Sequence, residues 1–154
     1  MKDKKTDGMD GIMAQEVRIT IHGLQAQGSD EPVEVVSVGQ MDTQDGFLCI
    51  TYEEVVSEEE NGLVQVVKNQ LRVSERQVEV IKKGPAASHM IFIPDQTTFT
   101  YYSTPIGELE VSIHTNRIEK VDSGDRFFLK MEYDLEMNQT FISSCSVNIT
   151  VEYV

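Results

Sequence analysis

Three side chains in this sequence have the types and spacing to do polar work in an otherwise apolar setting: Tyr52, Glu54 and Lys82. In the run Leu48-Cys49-Ile50-Thr51-Tyr52-Glu53-Glu54, Tyr52 and Glu54 share a register with Leu48 and Ile50. On a strand, alternate residues point the same way, so if Leu48 and Ile50 face a core, a phenol and a carboxylate go with them. A carboxylate taken out of water must be neutralised or find a partner. Lys82 shares a register with the apolar Val78 and Val80 and is the candidate partner. Such a group forms an internal ion pair or a barrel-mouth contact to solvent, orients a ligand, or serves as an acid or base. Met90, Phe92, Tyr102 and Tyr133 supply the thioether and aromatic surface that a small apolar cavity needs, and equally the bulk that fills a barrel with no cavity.

The remaining reactive groups do not assemble into a catalytic or metal-binding pattern. His22, His89 and His114 are widely separated and no Cys or Asp cluster joins them at ligand spacing, so they read as surface histidines and no metal or cofactor is expected. There is no Gly-x-Ser-x-Gly elbow and no glycine-rich phosphate loop. Cys49 and Cys145 each lie within an apolar strand-like run, as buried free thiols do. Glu58-Glu59-Glu60 is a solvated acidic turn. An enzyme is therefore not indicated.

The elements that must hold these residues are strands. Period-two alternation recurs along the chain, broken by turn residues, which is the signature of antiparallel strands with one buried face. It predicts strands at about 16–22, 33–41, 47–54, 63–73, 77–83, 90–93, 97–103, 107–115, 117–121, 126–135 and 141–153, ten or eleven in all, with no convincing helix. Asp45-Gly46 and Asn61-Gly62 supply the positive φ that tight hairpins need. An open sheet of so many strands leaves exposed edges, and closure removes them. The expected fold is all-β, a closed antiparallel up-and-down barrel of about 8–10 strands, with a two-sheet sandwich as the competing arrangement. Residues 1–14 read as a disordered tail, with Met13 a possible natural start, and residues 15–154 as a single barrel domain.

Several pieces taken in order resemble a known family: Leu48-x-Ile50-x-Tyr52-x-Glu54, then Lys82-x-Gly84 and Met90-x-Phe92, then Tyr102-x-Thr104-Pro105-x-Gly107 leading to Thr115, then Tyr133-x-Leu135. From about Val17 to its end the chain looks like the YwiB-like family of small, uncharacterised bacterial proteins. The resemblance implies a calycin-type barrel, related in shape to lipocalins, with no established activity or ligand.

Charge narrows the partners. With 13 basic against 26 acidic residues, a formal net of −13, the surface repels phosphate backbones and anionic membranes. With no secretory signal in the first residues, a cytoplasmic location is expected. The leading expectation is a noncatalytic barrel that holds a small, mostly apolar molecule in its lumen, lined by Met90, Phe92, Tyr102 and Tyr133 and oriented by Tyr52, Glu54 and Lys82. The alternative is an interaction or scaffold domain that uses the acidic outer face, an exposed edge or a homodimer interface.

Overall fold

The computed structural model describes residues 14–23, 34–58, 62–84 and 87–154, with the side chains of 56–58 and 102–104 left outside the description. All but the last residue of the expected tail at 1–14 therefore lies outside the described residues. Ten strands follow one another: β1 (Gln15–His22), β2 (Glu34–Gln44), β3 (Phe47–Glu58), β4 (Leu63–Val73), β5 (Val78–Lys82), β6 (Ser88–Phe92), β7 (Thr97–Thr104), β8 (Gly107–Asp122), β9 (Arg126–Met137) and β10 (Thr140–Tyr153).

They form one antiparallel sheet in the spatial order β6-β5-β4-β3-β2-β1-β10-β9-β8-β7. Every neighbour but one is joined by a direct connection, and the exception pairs the first strand with the last, Ile21 opposite Ile149 and Val17 opposite Tyr153. The sheet curls until its ends, β6 and β7, meet. No ladder joins them. The Thr98 hydroxyl donates to the Ile91 carbonyl, and the Gln96 amide to the Ile93 carbonyl at 3.1 Å. The barrel is thus nearly closed, where full closure was expected.

Alternation decides which side is core. Val17, Ile19 and Ile21, Ile50 and Tyr52, Leu71 and Val73, Val78 and Val80, Met90 and Phe92, Val111 and Ile113, Leu129, Met131 and Tyr133, and Val147, Ile149 and Val151 converge in one cluster. Tight turns set the registers: Asp45 and Gly46 at φ 52° and 83° between β2 and β3, and Asn138 and Gln139 at φ 48° and 68° between β9 and β10.

One expected break is absent. The stretches 107–115 and 117–121 are a single strand, β8, carrying a bulge: Glu132 faces Arg117 while Tyr133 faces Thr115, so Asn116 is the extra residue. Cys49 and Cys145 are both free and buried, as expected.

Candidate functional site

The barrel wall from β3 to β6 is built in layers of inward residues. One layer is Leu48, Val73, Val78 and Phe92, cross-strand neighbours in that order, with Leu48 only partly buried. Ile50, Leu71, Val80 and Met90 form the next layer. Above these the composition changes. Tyr52 lies opposite Asn69, Lys82 opposite Ser88, and Glu54 one step further out opposite Val67. The rim of the barrel at this end is therefore polar over an apolar floor.

Asn69 organises the rim. It is 1% exposed, and both ends of its amide are used: Nδ2 donates to Glu54 Oε1 at 2.8 Å, and Oδ1 accepts the backbone N–H of Lys83 at 3.0 Å. The same Glu54 oxygen lies 3.8 Å from Lys82 Nζ, with the two side chains 29% and 28% exposed. Glu54 and Lys82 thus meet as the register argument anticipated, at the rim rather than in the depth. Tyr52 is buried beside them, and burial, reinforced by the Glu54 charge, pushes its phenol well above the ordinary value of 10.0. The Ser88 hydroxyl is buried and has no hydrogen-bond partner.

Met90, Phe92 and Tyr133 point inward, and the Phe92 and Tyr133 rings meet edge to face with centroids 5.0 Å apart. Met90, Phe92 and Tyr133 are 4%, 0% and 3% exposed, so they belong to the buried apolar core. Tyr102 sits on β7 opposite Leu109, and its side chain lies outside the described residues. The structure therefore separates six of the seven candidates: Tyr52, Glu54 and Lys82 form the polar rim, while Met90, Phe92 and Tyr133 lie in the apolar core.

Asn69 was absent from the candidates although a signal for it exists. In the inward register Val67, Asn69, Leu71, Val73 it is the one polar residue, and a polar residue in an apolar register needs a partner.

A second polar group lies on the opposite face of the same wall. Glu79, with a side chain 6% exposed, accepts from Arg72 at 3.3 Å and shares a 2.6 Å hydrogen bond with His89 Nε2. The Arg72 guanidinium also stacks on Phe47, 4.2 Å from the ring centre. These contacts tie β3, β4, β5 and β6 together from outside. His114 shares a hydrogen bond with the Thr97 hydroxyl at 2.8 Å. Among the described residues no three His, Cys, Asp or Glu side chains come together as a metal site.

Fold and site together define a small antiparallel β-barrel with a buried apolar core and, among the described residues, a polar rim. The chain belongs to the family described as "Domain of unknown function (DUF1934)", whose model matches residues 18–149. It is similar to the "Uncharacterized beta-barrel protein YwiB" of Bacillus subtilis (strain 168), at 24% identity over 143 residues that cover 91% of this chain and 96% of that protein. The crystal structure of the ywiB protein from Bacillus subtilis superposes with a TM-score of 0.73 at 19% identity, covering 95% of this chain and 97% of that one. The resemblance to the YwiB-like family and the expectation of an antiparallel β-barrel are therefore correct.

Proposed function

We propose that this protein is a noncatalytic interaction module that docks a protein partner on the outer face of β2, β3 and β4. One observation carries the reading: Val36 and Val38 on β2, Val55 on β3, and Val64 and Val66 on β4 all point outward and are between 57% and 67% exposed. Val55 and Val66 are direct cross-strand neighbours, so the valines adjoin rather than scatter. Isolated exposed apolar residues are ordinary, whereas an apolar stripe across three adjacent strands is the surface of an interface.

A photoreactive benzophenone amino acid at position 66 tests this in a cell extract, with position 119 on β8 as the outward-facing control. A protein adduct of defined mass at position 66 alone is the expected result. No adduct, or equal adducts at both positions, would refute it.

A second reading, a small molecule held at the rim, is favoured by the unpartnered Ser88 hydroxyl and the partly open Glu54–Lys82 pair. Tyr52, Glu54 and Lys82 would orient such a molecule, and its apolar part would turn toward Met90, Phe92, Tyr102 and Tyr133. Native mass spectrometry of freshly purified protein distinguishes the two: a retained small molecule lost on Glu54→Gln supports the rim, and a bare chain mass counts against it.

A further inference from the structure

The ladder between β2 and β3 runs from Gln44 opposite Phe47 to Gly39 opposite Tyr52 and stops there. Both strands continue beyond it, β2 to Glu34 and β3 to Glu58. Each stays paired on its other side, β2 with β1 as far as Glu34 opposite His22, and β3 with β4 as far as Glu58 opposite Leu63. The two strands therefore part into a wedge, and among the described residues no strand pairs with the edge on either wall.

The Ser37 hydroxyl lies at the apex of this wedge, 2.8 Å from the Glu53 carbonyl and 3.2 Å from the Val38 carbonyl as a donor. Those two carbonyls face the wedge. Peptide groups two residues apart along a strand point the same way, so Val36 and Val55 also present their backbone N–H and C=O there. Natural sheets guard an open edge with charged side chains, proline or a bulge. The described part of these walls carries no lysine, proline or bulge, and its charges are all carboxylates, which repel an acidic strand and admit a basic one. Beyond the wedge β3 and β4 project as a two-stranded ribbon with Val55, Leu63, Val64 and Val66 exposed, and such a ribbon is marginal without a third strand.

The chemistry of the lining selects the occupant. Glu34, Glu53 and Glu54 line the cleft together with Val36, Val38 and Val55, and among the described residues no basic side chain does. Glu54 is engaged by Asn69 and Lys82, while Glu34 and Glu53 lie on the outer side with the valines. A second copy of this chain would bring the same carboxylates edge to edge, which like-charge repulsion opposes.

We propose that the wedge is a strand-addition site, in which an extended segment of a partner protein pairs along the free edge of β3. The segment carries Lys or Arg at both ends of an apolar centre, at positions i, i+2 and i+4. An apolar side chain at the centre then meets Val36 and Val55, and the flanking cations meet Glu53 and Glu34. This rests on the reading of the β2–β4 face as a protein interface and names the kind of partner it takes.

The test uses the full chain, isotope-labelled, titrated with the peptide acetyl-Lys-Thr-Val-Thr-Lys-amide and with its counterpart in which both lysines are glutamate. Expected are amide shifts confined to residues 34–38 and 53–58 with the lysine peptide, at least tenfold weaker binding of the glutamate peptide, and weakening by added salt. Val55→Pro removes a donor that faces the wedge and leaves the β4 ladder intact, so it should abolish binding. Glu53→Lys changes no backbone group and should reverse the preference between the two peptides. Equal binding of both peptides, shifts elsewhere on the barrel, or a dimer in light scattering whose contact maps to the wedge would overturn the proposal. If the wedge stays silent while position 66 still crosslinks, strand addition fails and the interface survives. If position 66 gives no adduct, the interface itself fails.

Discussion

Asn69 holds the rim in place because a buried amide must spend every hydrogen bond it has. Replacing it by leucine keeps the volume but strands the Lys83 amide and releases Glu54, so Asn69→Leu should cost about 2–3 kcal/mol, read as a lowered urea midpoint at unchanged slope. Glu79 is a parallel case on the outer face. Arg72→Leu leaves a nearly buried carboxylate with His89 alone, and because Arg72 is itself 27% exposed the cost should be smaller than for a fully buried pair, about 2 kcal/mol. Tyr52 gives a pH signature. Its phenol is held neutral above the ordinary value of 10.0, so in alkali the unfolded chain releases a proton that the folded one keeps. That contribution is complete below pH 10 and is lost as the pH rises above it. Tyr52→Phe should flatten the fall in stability above pH 10, and an equally steep fall in the variant would show that another group is responsible. At this scale the sequence disclosed the Glu54–Lys82 pair, since both residues interrupt apolar registers. Ser37, at the apex of the wedge, is invisible there, because its role depends on which strand lies beside it.

Strands were legible because alternation is written along one strand and survives any tertiary arrangement that buries one face. The boundaries of β4 are those the alternation predicts, and most of the others shift by one to four residues at an end. The fusion of 107–115 and 117–121 was not legible for a definite reason. The extra residue Asn116 shifts the phase, so that Val111, Ile113 and Thr115 face inward before it and Ile118 packs inward after it, which reads as two strands. The lapse of the β2–β3 ladder escaped for another: pairing is a relation between strands, and valines continue on both sides of the break. Gly39 marks that break. A Cβ there would lie 2.7 Å from the Thr51 carbonyl oxygen, a backbone atom with nowhere to move. Gly39→Ala should therefore destabilise the barrel by about 1–3 kcal/mol through overpacking, and faster amide exchange at Gln40–Met41 than elsewhere in β2 would locate the strain.

Over the whole molecule the sheet is held less evenly than its continuous order suggests. Two seams interrupt it, one between β6 and β7 where side chains and loop amides replace a ladder, and one at the wedge between β2 and β3. On a chain of formal net charge −13 every seam is also a place where self-repulsion pulls outward. Surface ion pairs such as Arg117–Glu119 at 2.7 Å and Lys130–Glu132 at 3.9 Å are too exposed to offset that field, each contributing about 0–1 kcal/mol. Salt acts on the two contributions in opposite directions. Screening weakens the few attractive pairs and the many repulsive ones alike, and with twice as many acidic as basic residues the repulsion is the larger sum. The midpoint of thermal unfolding should therefore rise by several degrees between about 0.01 M and 0.5 M NaCl, where the Debye length shrinks from about 30 Å to a few ångströms. Amide exchange should slow most at the seams, in β6, β7 and the part of β2 beyond Gly39. A midpoint that falls with salt would mean that the ion pairs outweigh the net charge, and uniform slowing would mean that repulsion is spread over the barrel rather than gathered where its ladders lapse.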